Sequence, residues 1–66
     1  MFGAIIRQAR LKVGLSQRQL GLLCGYTEAS AEHTVQRWEY DQTDPPARVL
    51  RALAEALHLR IDQLVP

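Results

Sequence analysis

Residues 24–41, CGYTEASAEHTVQRWEYD, contain side chains of several hydrogen-bonding types at helical spacing. Glu32, His33, Gln36 and Arg37 offer a carboxylate, an imidazole, an amide and a guanidinium. The spacing therefore raises the question of which element displays these side chains, and to what.

Catalytic and metal-binding chemistry has little support in the sequence. No Ser/His/Asp set, carboxylate pair or phosphate-binding loop is spaced for a reaction. Cys24 is the only cysteine, and with His33 and His58 alone it can form neither an internal disulfide nor a four-ligand metal site. We therefore expect Cys24 to be a small core residue, and we expect no enzyme activity, no cofactor and no metal.

The composition is that of one small globular domain spanning residues 1–66. Hydrophobic residues make up 47% of the chain and charged residues 23%, and the net charge is +1. Because this balance is nearly neutral, only the placement of charges can indicate a nucleic-acid partner. No apolar run approaches the roughly 20 residues of a membrane span, so we expect a reduced, cytoplasmic protein without membrane contact.

Apolar periodicity predicts helices throughout and no sheet. One face of the first predicted helix contains Ile5, Ile6, Ala9 and Val13, and the helix ends at Gly14. A second helix begins at LSQRQL, where the sequence predicts a capping box between Ser16 and Gln19 and a hydrophobic staple between Leu15 and Leu20. This helix, with apolar residues Leu20, Leu23 and Cys24, ends at Gly25, and Gly21 within it suggests that another backbone packs closely there.

A third helix is predicted within residues 27–39, with Ala31, Val35 and Trp38 forming its buried stripe. Asp44 can cap a fourth helix with Pro45 in its first turn, and RIDQLV adds a short fifth turn. The fold class is thus all-α, a compact five-helix bundle. The second and third helices, joined by a brief turn at Gly25, predict a helix-turn-helix at about residues 16–39.

The sequence resembles the lambda-repressor/Cro (XRE) family of helix-turn-helix DNA-binding proteins. The resemblance is carried by IRQARLKVGLSQRQLGLLCGY, HTVQRWE and RALAEALHLRIDQL, which together cover nearly the whole chain in the family's order. It implies a regulator of transcription, a repressor that binds double-stranded DNA as a homodimer on a palindromic operator. The alternative is an antitoxin or similar module that also binds a protein partner.

The resemblance also implies roles for individual residues. Residues at the family's base-reading positions are Glu32, His33, Gln36 and Arg37. Residues at or beside its phosphate-contacting positions are Gln17, Arg18, Thr34, Gln42, Thr43 and Arg48. The resemblance implies that an ion pair between Arg10 and Glu39, together with core residues Val35 and Trp38, braces the third helix. The expected dimer surface comprises Leu59, Ile61, Leu64 and Val65, with Phe2 as a further candidate.

The chain departs from the family between Gly25 and Glu39, where it is longer by about one helical turn of 3.6 residues. In the preferred interpretation, Thr27 caps an extended recognition helix whose buried stripe stays in phase. In the alternative, Ser30 is the cap and residues 26–29 lengthen the turn. A third alignment keeps the family spacing from Gly25 but leaves Trp38 without a role.

Overall fold

The computed structural model describes residues 2–64. Over this range the chain forms four α-helices and no strands: α1 at Gly3–Val13, α2 at Gln17–Leu23, α3 at Ala31–Glu39 and α4 at Leu50–Leu57. A 3-10 turn at Ala47–Val49 leads into α4, and a second 3-10 turn at Ile61–Gln63 follows it. The all-α class is confirmed, whereas the predicted fifth helix is a single 3-10 turn.

One hydrophobic core joins all four helices. Its largest fully buried side chains are Trp38, Ile6, Leu20, Leu53 and Val35, and Leu57 and Leu64 complete it from the C-terminal part of the chain. Ile5 and Leu23, which the sequence pattern placed on apolar faces, are 42% and 57% exposed. The core therefore uses a narrower stripe of α1 and α2 than the sequence suggests.

The boundaries of α2 follow from local chemistry. The Ser16 hydroxyl accepts a hydrogen bond from the Gln19 N–H at 3.0 Å, and the Gln19 side chain accepts one from the Ser16 N–H at 2.8 Å. This reciprocal pair is the predicted capping box. Beyond Leu23 the chain turns at Gly25, whose φ of 95° favours glycine.

Gly21 lies where α2 crosses the start of α3. A Cβ atom at this position would lie 2.5 Å from the Ala31 carbonyl oxygen and 2.6 Å from the Ala31 Cβ. Ala31 is itself fully buried. The predicted close backbone approach is therefore confirmed, and it fixes where the N-terminus of α3 meets α2.

The prediction of an extended recognition helix capped by Thr27 is wrong. The helix α3 begins at Ala31 with Ser30 preceding it, and residues 28–30 form a turn, as in the alternative interpretation. The Thr27 carbonyl accepts hydrogen bonds from the Ser30 and Ala31 N–H groups. The hydroxyl oxygens of Thr27 and Ser30 lie 3.1 Å apart. Because residues 27–29 are exposed and bury no apolar face, tertiary packing does not support a further helical turn there.

The predicted capping of α4 by Asp44 is also wrong. Pro46 has an extended backbone with ψ of 154°, so the 3-10 turn starts only at Ala47. A residue that precedes proline is biased away from helical geometry, which disfavours Pro45 as a first-turn residue. The α4 helix ends at Leu57, and His58 after it adopts a left-handed φ of 58° where glycine is more usual.

Cys24 packs in the core as expected and is 8% exposed. Burial raises the pKa of its thiol to about 11, because the low-dielectric surroundings disfavour the thiolate. The thiolate is the reactive form of cysteine, so this residue is a structural group rather than a nucleophile.

We predict that Gly21→Ala destabilises the protein by about 1–3 kcal/mol, because the added methyl group overlaps backbone atoms of Ala31 that cannot move independently. In an exposed helix the same change would stabilise by about 1 kcal/mol. Urea unfolding followed by circular dichroism measures the difference. Leu23→Ala, at an exposed position of α2, is the control, and a Gly21→Ala protein as stable as this control would contradict the prediction.

Candidate nucleic-acid interface

The α3 helix has one buried face and one exposed polar face. Ala31 and Val35 are fully buried, and Trp38 is only 2% exposed. Of the predicted base-reading residues, Glu32, His33 and Arg37 are exposed and Gln36 is half-buried. The predicted division of the helix is confirmed, and its polar side chains project away from the core.

The tryptophan braces α3 from behind. Its ring meets that of Tyr26 edge to face, with centroids 5.7 Å apart and planes at 68°. Such an arrangement is favoured by the ring quadrupoles. Because Tyr26 directly follows Gly25, this contact ties the turn between α2 and α3 to the rear of the exposed helix.

An ion pair between Arg10 and Glu39 fixes the C-terminal end of α3. The Arg10 Nε and Nη2 atoms donate to the two carboxylate oxygens of Glu39 at 2.6 and 3.1 Å. The Arg10 Nη1 atom donates to the Leu15 carbonyl at 2.9 Å, and the Gln17 amide donates to Glu39 at 3.1 Å. The Arg10 and Glu39 side chains are 10% and 3% exposed, so both charges are largely removed from water. These hydrogen bonds offset the free-energy cost of that desolvation.

Several predicted phosphate contacts have intramolecular partners. Gln17 donates to Glu39, and the Thr34 hydroxyl donates to the Ser30 carbonyl at 2.8 Å. Arg18 forms an exposed ion pair with Glu28, which the sequence reading did not anticipate. The remaining predicted phosphate contacts are all exposed: Gln42, Thr43 and Arg48.

A cleft of about 860 Å³ runs between α1, the start of α2 and α3. It brings Gln17, Arg18 and Glu32 together, and it also includes Arg7 and Gln8 of α1, which the sequence reading did not single out. Both are exposed residues of α1, whereas Ile6 and Arg10 are buried, so the apolar periodicity of α1 places them outside its buried stripe.

The loop that leaves α3 is held by α1. Asp41 has a left-handed φ of 59°, and its Oδ1 atom accepts a hydrogen bond from the Gly3 N–H at 3.0 Å. A Cβ atom on Gly3 would lie 2.4 Å from the Glu39 carbonyl oxygen. The N-terminal end of α1 therefore contacts the end of α3. Gly3 and Asp41 are 38 positions apart in the sequence, so no local pattern predicts their hydrogen bond.

The predicted dimer residues have different environments. Leu59 is half-buried, Ile61 is 42% exposed and Leu64 lies in the core at 3% exposure. Val65 lies outside the described residues. The expectation that Leu64 lies on a dimer surface is therefore wrong, because its side chain closes the core. Ile61 is the most exposed apolar member of the set in the described part of the chain.

A family model described as Helix-turn-helix, HTH_3, matches residues 6–64, which include all four helices apart from the first turn of α1. The chain belongs to the XRE family of helix-turn-helix proteins. This membership, together with the exposed polar face of α3, makes it a DNA-binding helix-turn-helix regulator. A search of curated proteins found no significant match. Within residues 2–64, no helix has the length and apolar character needed to cross a bilayer.

We predict that Glu39→Gln destabilises this XRE-family protein by about 3–5 kcal/mol, because it leaves the buried Arg10 guanidinium without a counter-charge. The variant Arg10→Met/Glu39→Leu should recover much of that loss, since it removes both charges and leaves apolar groups. Urea unfolding measures both effects. Glu55→Gln on the exposed face of α4 is the control, and a Glu39→Gln protein within about 0.5 kcal/mol of that control would contradict a stabilising role for the pair.

Proposed function

We propose that this protein is a transcriptional repressor that inserts α3 into the major groove of a palindromic operator. The supporting observation is the two-sided character of α3, with three side chains held in the core and a polar face exposed beside α2. A helix of this kind fits the major groove, and its outward side chains can reach base edges.

The base-reading set is Glu32, His33, Gln36 and Arg37. Arg37 is exposed and suits a bidentate contact to guanine O6 and N7. Glu32 is also exposed and can accept from the N4 amine of cytosine, while it repels sites that lack such a donor. The proposed half-site therefore contains a guanine opposite Arg37 and a cytosine opposite Glu32.

The phosphate-contacting set comprises Gln17, Arg18, Thr34, Gln42, Thr43 and Arg48. Arg48 has no ion-pair partner within residues 2–64 and is exposed, so its charge is available to a phosphate. Contacts of this type add affinity on every sequence and make binding weaken as salt rises. Gln17 has two roles in this proposal. Its side-chain amide donates to Glu39, and its backbone lies at the N-terminus of α2, where a phosphate can bind.

Dimerisation follows from the size of the interface. One module of this type buries only about 600–1,000 Å² against DNA, and two half-sites about one helical turn apart bind a symmetric pair. Leu59 and Ile61 are accessible apolar residues beyond α4, and they form the proposed contact between copies. The antitoxin alternative uses the same helix-turn-helix and differs only in requiring a protein partner.

We predict that Arg37→Ala relaxes the preference at one operator position and weakens operator binding by about 1–3 kcal/mol, because a bidentate base contact is lost. Selection of bound sequences from random duplex DNA, carried out with the wild type and the variant, measures the change in preference. Titration of the selected duplex measures the change in affinity.

The matched control for this selection is Arg48→Ala. This variant should lose the same factor of affinity on operator DNA and on scrambled DNA. The slope of log K against log salt should also fall in magnitude by about 0.9. Equal loss on all sequences for Arg37→Ala would make Arg37 a phosphate contact. An absence of any enriched sequence with the wild type would contradict the proposed function.

We predict that Ile61→Asp weakens binding to a two-half-site operator by at least tenfold and leaves binding to a single half-site unchanged, because the charge disrupts only the contact between copies. Sedimentation equilibrium should show a matching loss of dimer. Leu23→Asp introduces the same charge at an exposed apolar position on α2 and serves as the control. Equal operator affinity in wild type and Ile61→Asp would show that Ile61 lies outside the dimer interface.

A further inference from the structure

Arg18 and Glu28 form an ion pair across the turn of the helix-turn-helix. The Arg18 Nε atom donates to the Glu28 Oε1 atom at 2.6 Å, and Nη2 of the same guanidinium contacts the same oxygen. Arg18 lies in the first turn of α2, and Glu28 lies in the turn that precedes α3. The turn before α3 therefore supplies a carboxylate to an arginine that lines the cleft between α1, α2 and α3.

The pair is exposed, with 53% of the arginine side chain and 64% of the glutamate side chain accessible. An exposed pair of this kind is weak and exchanges readily with another anion. A phosphate oxygen is the same type of acceptor for a guanidinium as a carboxylate oxygen. Glu28 therefore occupies the hydrogen-bonding groups of Arg18 that a DNA phosphate would use.

We propose that Glu28 is an intramolecular competitor for the DNA backbone, which lowers the affinity of this protein for all duplex DNA by occupying Arg18. This inference rests on the proposed function. Binding exchanges the Glu28 carboxylate on Arg18 for a phosphate, and it leaves Glu28 as an uncompensated negative charge near the DNA. Glu28 thus limits non-specific binding, while specificity stays with the base-reading face of α3.

The pair does not form the main link between α2 and α3. That link is the buried contact between Gly21 and Ala31, supported by the Tyr26 and Trp38 rings. Removing the Glu28 charge therefore leaves the position of α3 unchanged. A competitor role and a positioning role predict opposite effects on binding, which makes them separable by experiment.

The test is a double-mutant cycle of Glu28→Gln and Arg18→Gln, measured by fluorescence anisotropy on the selected operator duplex and on a scrambled duplex. Glu28→Gln should tighten binding to both duplexes by about two- to five-fold, as expected for the loss of a surface ion pair. Glu55→Gln on α4 gives the same change of net charge away from the helix-turn-helix, and Glu28→Gln should exceed it. In the Arg18→Gln background the gain should fall to that of Glu55→Gln.

Three results would overturn the proposal. A gain no larger than that of Glu55→Gln would show that Glu28 does not compete. An undiminished gain in the Arg18→Gln background would show that Glu28 only repels DNA directly. Weaker binding or altered base preference in Glu28→Gln would show that the pair positions α3. These results leave the proposed function intact, whereas failure of the wild type to bind any duplex removes both.

Discussion

The guanidinium of Arg10 joins α1, the connection between α1 and α2, and the end of α3 at one point. From α1 it reaches the Leu15 carbonyl between α1 and α2, and it pairs with Glu39 at the end of α3. Gln17 at the start of α2 completes the set through the same carboxylate. A planar group with five donors in fixed directions can satisfy these acceptors together only when the helices hold one relative orientation. The orientation of α3 against α1 and α2 depends on this set of hydrogen bonds.

The opposite end of α3 is fixed by packing rather than by charge. The absent side chain of Gly21 allows Ala31 to approach α2 more closely than any larger residue would permit. Between these ends, Val35 and Trp38 fill the core. A helix held at both ends and along one face presents its remaining side chains in fixed positions. Readout of base edges needs this rigidity, because a misplaced donor forfeits its hydrogen bond and leaves a polar group unpaired.

The sequence predicts those features whose causes are local. The Ser16 capping box and the close approach at Gly21 depend on nearby residues or on an absent side chain, and both are confirmed. The start of α3 differs from the prediction because the helix-compatible residues before Ala31 bury nothing, and burial is a property of the whole fold. The pair of Arg18 with Glu28 has no sequence signal because it depends on the path of the turn between α2 and α3. The base-reading roles on α3 stay predictions, since exposure makes a residue available without showing what it contacts.

Two arginine–glutamate ion pairs in this protein show that burial determines the role of an ion pair. Arg10 and Glu39 are almost inaccessible, so the loss of either partner leaves a charge that water cannot solvate, and the pair acts as a structural constraint. Arg18 and Glu28 are largely accessible, so water can solvate either partner, and a phosphate can replace the carboxylate on Arg18 at little cost. The first pair is therefore a fixed part of the fold, whereas the second can exchange partners. The buried pair thus holds α3 in place. Under the proposed exchange, the exposed pair makes affinity for the DNA backbone depend on a single acidic residue in the turn.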